Sequence, residues 1–296
     1  MYDQIASNTR RSWLLIAAFI LLIVALGYAA SLYWDIGPYA VPVALVVAIV
    51  MSWGSYYHSD RIVIAMSSAR PVAREAHLHL WNTVEGLSLA AGVPMPRLYL
   101  IEDTAPNAFA TGRDPQHAAL VVTRGLLEKL NRLELEGVVG HEMAHIRNYD
   151  IRLMTLVSVL AGTVALLADW MWRGLRWGGR SRRLRAGGPV MAVVAAVAVL
   201  LIALSPLIAQ LMQLALSRRR EFLADAEGAR LTRYPEGLAS ALEKIAADRE
   251  PLEAANKATA HLYIYNPLRD YKRSALNNLF NTHPPVKERI ARLRAM

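Results

Sequence analysis

Two histidines four residues apart, with a glutamate directly after the first, form the pattern HExxH: His141, Glu142 and His145 in GVVGHEMAH. At about 3.6 residues per helical turn, positions i and i+4 lie one above the other, so both imidazoles reach one metal ion while the Glu142 carboxylate stands beside it. A catalytic zinc takes three protein ligands and keeps a further position for water. The chain has no cysteine, so the third ligand must be His, Asp or Glu. The clearest candidate is Glu221 in RRREFLADAEGA, followed four residues later by Asp225. On a helix the two share a face, which lets Glu221 bind the metal while Asp225 accepts a hydrogen bond from a ligand imidazole. Spacing alone leaves a second reading equally open, a solvated acidic pair beside Arg218, Arg219 and Arg220. For the HExxH residues the plain alternative is two half-buried histidines on an ordinary helix.

The chemistry such a set performs is metal-assisted peptide hydrolysis. Zinc lowers the pKa of a bound water toward neutrality and polarises the scissile carbonyl, while Glu142 takes the water's proton and passes it to the leaving amine. Asp225 would orient His141, and Asp150 is a further candidate to support a ligand. A rival from another class is a membrane receptor or scaffold whose zinc site is silent. Glu142 argues against it, because holding a metal does not require that carboxylate. A transporter is also disfavoured, since Asp169 is the one charge within the apolar segments and offers little from which to build an ion pathway.

The elements that must position these residues are set by a strongly apolar chain. Of 296 residues, 54% are hydrophobic, and the mean hydropathy of +0.24 indicates a membrane protein. The net charge of +9 then fits arginines flanking membrane spans better than nucleic-acid binding. Residues 12–34 carry no charge and are long enough to cross a hydrocarbon core of roughly 30 Å. A tight turn at Asp35, Gly37 and Pro38 leads to a second span, 39–57, with Trp34, Trp53, Tyr56 and Tyr57 as interfacial aromatics. A cleaved signal peptide is the rival for the first span, but its apolar run is long and a second follows at once. Arg10 and Arg11 before the spans and Arg61, Arg70 and Arg74 after them put the N-terminus and the following soluble stretch in the cytoplasm.

Within that stretch, 71–90 reads as an amphipathic helix stopped by Gly92 and Pro94. His77 and His79, two apart, face different ways and read as surface residues. Two β-like runs, 97–101 and 118–122, bracket 107–112 and predict a small sheet beside the HExxH helix. One edge of it could take an extended peptide as an added strand, though an ordinary hairpin fits the same residues. After Asp150 the chain is apolar again over 153–168 and 186–217, separated by a loop with six arginines between Arg173 and Arg185. The metal motif thus falls just before a third membrane segment and Glu221 just after a fourth, close to the bilayer surface. Both must leave their flanks on one side. We expect both to span, with the arginines facing outward against the positive-inside rule. The rest is soluble, with a helix around 235–248 and a last helix after Thr282-His283-Pro284-Pro285. The expectation is an α-helical membrane protein with four hydrophobic segments and a mainly α (α+β) metalloprotease domain carrying a small β-sheet. Its parts are an N-terminal transmembrane hairpin (1–57), a first catalytic part with the HExxH helix (58–152), a second membrane pair (153–216) and a second catalytic part with the third ligand (217–296).

HEMAH at 141–145, EFLAD at 221–225, NAFATG at 107–112, HLYIYNPL and the terminal THPPVKERIARL, with four hydrophobic segments in this order, resemble the HtpX membrane zinc metalloproteases over essentially the whole chain. The resemblance implies Glu221 as third ligand and one Zn2+ per chain. It implies a multi-pass protein of the inner membrane, its catalytic domain facing the cytoplasm, that cuts misfolded or damaged membrane proteins. Its partners would be unfolded polypeptides and the lipid bilayer, with no nucleic acid and an open oligomeric state. It further suggests that His283 and Arg289 contact the scissile region, and that Asn107 is a substrate contact. From the residues alone, His283 beside two prolines is an ordinary cap or turn residue.

Overall fold

The computed structural model describes residues 2–34, 39–160, 162–163, 218–255, 258–267 and 284–296. Helices α1 (Tyr2–Trp34) and α2 (Ala40–Met66) form an antiparallel pair, and each contains a stretch long and apolar enough to span a membrane, Ile5–Ala25 and Val41–Met66. Leu14, Leu21, Val43, Val46, Val50 and Trp53 stay exposed along them, which suits an apolar solvent. Both helices outrun the expected spans. α1 begins in the polar N-terminal residues, and α2 continues nearly three turns past Tyr57, because nothing breaks it before the positive-φ residue Ser68. The extension carries Asp60, which pairs with Arg97 at the start of the sheet and ties the membrane hairpin to the soluble part.

The sheet has four strands in the order β1 (Arg70–Pro71), β2 (Arg97–Ile101), β4 (Ala118–Thr123), β3 (Ala108–Gly112). It corrects the hairpin alternative: β2 and β4 run parallel, from Arg97↔Ala119 to Ile101↔Thr123, and it is β3 that pairs antiparallel with β4. The segment expected to be an uninterrupted helix from 71 also differs. Residues 70–71 form the two-residue edge strand β1, where a proline without an N–H is tolerated, and α3 (Leu78–Ala91) begins seven residues later. It ends, as expected, at left-handed Gly92 (φ 67°). His79 is exposed and His77 half-buried at the helix start.

Period-two alternation gives the sheet two apolar faces. Leu98, Leu100, Ala110, Leu120 and Val122 pack on α3, on α5 (Arg132–Arg147) and on α7 (Pro235–Ala247). Ile101, Phe109, Ala119 and Val121 pack with Val63 and Ile64 of α2, with Met154 and with Tyr263, whose ring meets Phe109 edge to face at 4.8 Å. The sheet therefore lies between the membrane hairpin's end and the HExxH helix. The short α4 (Arg124–Lys129) precedes α5, and α6 (Arg218–Thr232) and α8 (Val286–Arg294) complete the described helices used below. Residues 150–160 are helical, the start of the expected third segment; its remainder and the fourth segment lie outside the described residues.

Candidate metal centre

The HExxH helix is fixed at its start by a capping box. Glu134 N donates to Asn131 Oδ1 at 3.0 Å, and Asn131 N donates to Glu134 Oε2 at 2.8 Å. The same buried carboxylate accepts from Ser240 Oγ and Lys244 Nζ of α7, at 2.6 and 2.7 Å, which sets the rotation of α5 against its neighbour. Against α6 the contact is backbone to backbone. A Cβ on Gly228 would stand 2.8 Å from His141 N, and one on Gly140 would stand 3.2 Å from Gly228 O. With any larger residue at Gly228 the helices would separate. At this distance Glu221 and Asp225, one turn apart on α6, face the two histidines.

His141 Nε2 and His145 Nε2 are 3.2 Å apart. Glu221 Oε2 lies 3.8 Å from the first and Oε1 lies 3.5 Å from the second. The three residues offer ligand atoms all within 4.8 Å of one another. Each outer nitrogen has its own carboxylate: His141 Nδ1 is 2.9 Å from Asp225 Oδ1, and His145 Nδ1 is 3.1 Å from Asp150 Oδ2. Carboxylates accept, so each Nδ1 carries a proton and each Nε2 faces the gap between the rings. Two imidazole nitrogens and a carboxylate oxygen are a zinc-type donor set. Among the described residues, Glu142, Asp150, Glu221 and Asp225, all at most 3% exposed, lie near the guanidinium groups of Arg289 and Arg220. That excess of buried negative charge suits a divalent cation.

The electrostatics divide the roles. Burial, helped by the Arg289 charge, outweighs the Asp225 contact and brings His141 down to about 4, so it is neutral and its lone pair is available. Burial and the charge of Glu221 push Glu142 up to about 7, against the pull of His145, Arg289 and the Ala110 N–H. A carboxylate poised there suits a general base at neutral pH. His145 goes the other way: burial lowers it, but its bonds to Asp150 and Glu221 prevail and hold it well above the usual histidine range.

The remaining candidates fall as follows. Arg289 has no exposed surface; Nε and Nη2 donate to the two oxygens of Asp225 at 2.9 and 2.7 Å, and Nη1 donates to Ile264 O at 3.0 Å. Its donors serve the protein, holding the aspartate that holds His141. Asn107 is buried, its Nδ2 donating to Tyr265 O at 2.9 Å and its Oδ1 accepting from Ala108 N at 3.1 Å. His283 lies outside the described residues. Asp150 and Asp225 are equal partners, one for each histidine. Sequence reading missed β3 as a strand. The outer edge of β3 is engaged near one end by Ile264 N on Ala108 O (2.9 Å) and at the other by Gly112 N on Thr155 Oγ1 (3.1 Å), and between them Ala110 donates to Glu142.

Residues 73–296 match the family model described as Peptidase family M48. A protein named "Protease HtpX homolog" from Dictyoglomus turgidum is 44% identical over 295 residues, covering 100% of this chain and 94% of its own. One of the same name from Levilactobacillus brevis is 44% identical over 302 residues and is covered completely, as is this chain. Among solved structures, S. mikatae Ste24p matches 99% of this chain and 67% of its own with a TM-score of 0.52; at 18% identity that is a likeness of fold.

Proposed function

This chain belongs to peptidase family M48 and is a membrane-bound metalloprotease acting on polypeptides, and from that premise we propose a zinc endopeptidase in which His141, His145 and Glu221 hold the metal. The observation that carries the ligand set is the buried convergence of these three residues, whose ligand atoms all lie within 4.8 Å of one another. When bound, zinc supplies a Lewis acid that acidifies a water and polarises the scissile carbonyl. Glu142 takes the attacking water's proton and delivers it to the leaving amine. Asp225, itself clamped by Arg289, orients His141, and Asp150 orients His145. An extended substrate running along β3 beside Ala110 would pass Glu142. The oxyanion contact is assigned to His283 on the resemblance alone.

We place the protein in the inner membrane as a multi-pass chain with this site on the cytoplasmic side, supported by the arginines that flank the first two spans. Its natural substrates are then unfolded or damaged membrane proteins, supported by the position of the site directly beside the membrane hairpin.

The deciding experiment compares the purified full-length protein with Glu142→Gln and Glu221→Gln for zinc content and for cleavage of an unfolded protein. Glu142→Gln should keep its zinc and lose cleavage by roughly two orders of magnitude or more. Glu221→Gln should lose zinc. Equal cleavage by wild type and Glu142→Gln would overturn the mechanism, and full zinc in Glu221→Gln would overturn the ligand set.

A further inference from the structure

The N-terminal membrane helix reaches the metal centre. Asn8, in the second turn of α1, is 1% exposed although it belongs to a polar stretch of sequence. Its Nδ2 donates to Asp150 Oδ1 at 2.7 Å and to Asn148 O at 3.1 Å, partners some 140 residues away in sequence. The other oxygen of Asp150, Oδ2, is the one that meets His145 Nδ1. The adjacent Thr9 accepts from Arg152 Nη1 at 3.2 Å, so α1 docks on the junction just after the HExxH helix through two neighbouring side chains. Only one of the two touches the carboxylate behind a ligand.

The terminal torsion of an aspartate is broad. A carboxylate held at one oxygen by a single imidazole can swing, and the imidazole swings with it. Asn8, together with the Arg220 guanidinium 3.4 Å from the same Oδ1, fixes the second oxygen and hence the carboxylate plane. The amide suits this position. A carboxylate at residue 8 would repel Asp150, and an apolar side chain would leave Oδ1 with the longer Arg220 contact and no neutral donor.

We infer that Asn8 is a positioning residue for the metal centre, through which the first membrane helix holds Asp150 and so aims His145 at the metal. Metal affinity therefore depends on α1 being docked. The inference rests on His145 being a ligand, as proposed above.

The test uses full-length protein in detergent carrying Glu142→Gln to prevent self-digestion, with Zn2+ as the probe. Affinity is read by chelator competition, and melting temperature is read with and without zinc. Asn8→Leu and Asn8→Asp should each weaken zinc binding by about tenfold, the lower end of what loss of an outer partner to a ligand costs, and should shrink the zinc-induced rise in melting temperature. Thr9→Val, which removes the neighbouring contact to Arg152 and leaves Asn8 on Asp150, should leave zinc affinity unchanged. Unchanged affinity in Asn8→Leu, or equal losses in Asn8→Leu and Thr9→Val, would each overturn the inference. His145→Ala separates the two claims: if it too kept full zinc affinity, the ligand assignment would be the part that failed.

Discussion

Replacing Arg289 with methionine tests whether the site is held together from behind. Methionine keeps most of the stem and none of the donors, so Asp225 loses both guanidinium bonds and keeps only His141 Nδ1 at 2.9 Å. Removing one partner of a buried, hydrogen-bonded ion pair costs about 3–5 kcal/mol. An independent figure comes from Asp225 itself. Burial pushes its carboxyl up, but the Arg289 charge and the bonds from His141 and Arg289 hold it down, from 3.8 to about 2. At about 1.4 kcal/mol per pKa unit this favours the ionised native form by roughly 2–3 kcal/mol. That figure includes the His141 bond, so the arginine supplies only part of it. A loss of about 3 kcal/mol lowers the melting temperature by about 5 °C at this size.

The sign with pH follows from the depressed carboxyl. The stability contributed by Asp225 is fully present above 3.8 and is lost as pH falls through the range down to about 2. The gap between wild type and Arg289→Met should therefore be widest above pH 4 and close toward pH 2. Zinc affinity should fall by about 10 to 100-fold, because the aspartate that aims His141 is no longer held. Thermal unfolding and chelator competition, both in the Glu142→Gln background, measure these effects. If Arg289 instead acted only on the scissile region, turnover would drop while melting temperature and zinc affinity stayed at wild-type values. That result would refute the positioning argument.

Zinc uptake should release protons in a countable way. His141 is already neutral far below pH 6, whereas His145 holds a proton at neutral pH that a metal must displace. In Glu142→Gln protein the zinc affinity should therefore rise about tenfold per pH unit between roughly pH 6 and 8. Wild type should be steeper below 7, where Glu142 adds a second proton; a pH-independent affinity in both proteins would contradict these assignments. For topology, the chain's lack of cysteine makes Ser181→Cys in the arginine loop a clean reporter. A membrane-impermeant maleimide should label it in intact cells, and labelling only after permeabilisation would mean that the third and fourth segments enter the bilayer without crossing it.

Legibility in the sequence followed the range of the interaction. The ligand candidates were readable because helical spacing is a local rule: His141 and His145, and Glu221 and Asp225, each form an i, i+4 pair on its own helix. The Gly92 stop is equally local. β3 was not readable, because Ala108-Phe-Ala-Thr-Gly112 has little β-branched content, and it is a strand only because β4 and α5 sit on either side of it. The parallel pairing of β2 and β4 was hidden for a similar reason. Sixteen residues separate them, more than a tight hairpin uses, but the direction of pairing depends on where the intervening strand goes. Gly140 and Gly228 each look like a weak point in a helix, and only the crossing of α5 and α6 makes them a matched contact. Asn8 carried no signal at all in a polar N-terminus.

The two histidines of the HExxH helix are steadied from opposite ends of the chain. Behind His141 stands Asp225, clamped by Arg289 on the last helix, seven residues before Met296. Behind His145 stands Asp150, held by Asn8, the seventh residue of the first helix. Neither clamp can form until the distant segment has reached its place, and each acts on a different ligand of one ion. Metal binding is then linked to the folded, membrane-inserted state by free energy at both ends. A chain still being made has the HExxH helix long before it has Glu221, Asp225 or Arg289, and one that has lost the docking of α1 has all three but a loosened His145. The arrangement withholds a competent site from both.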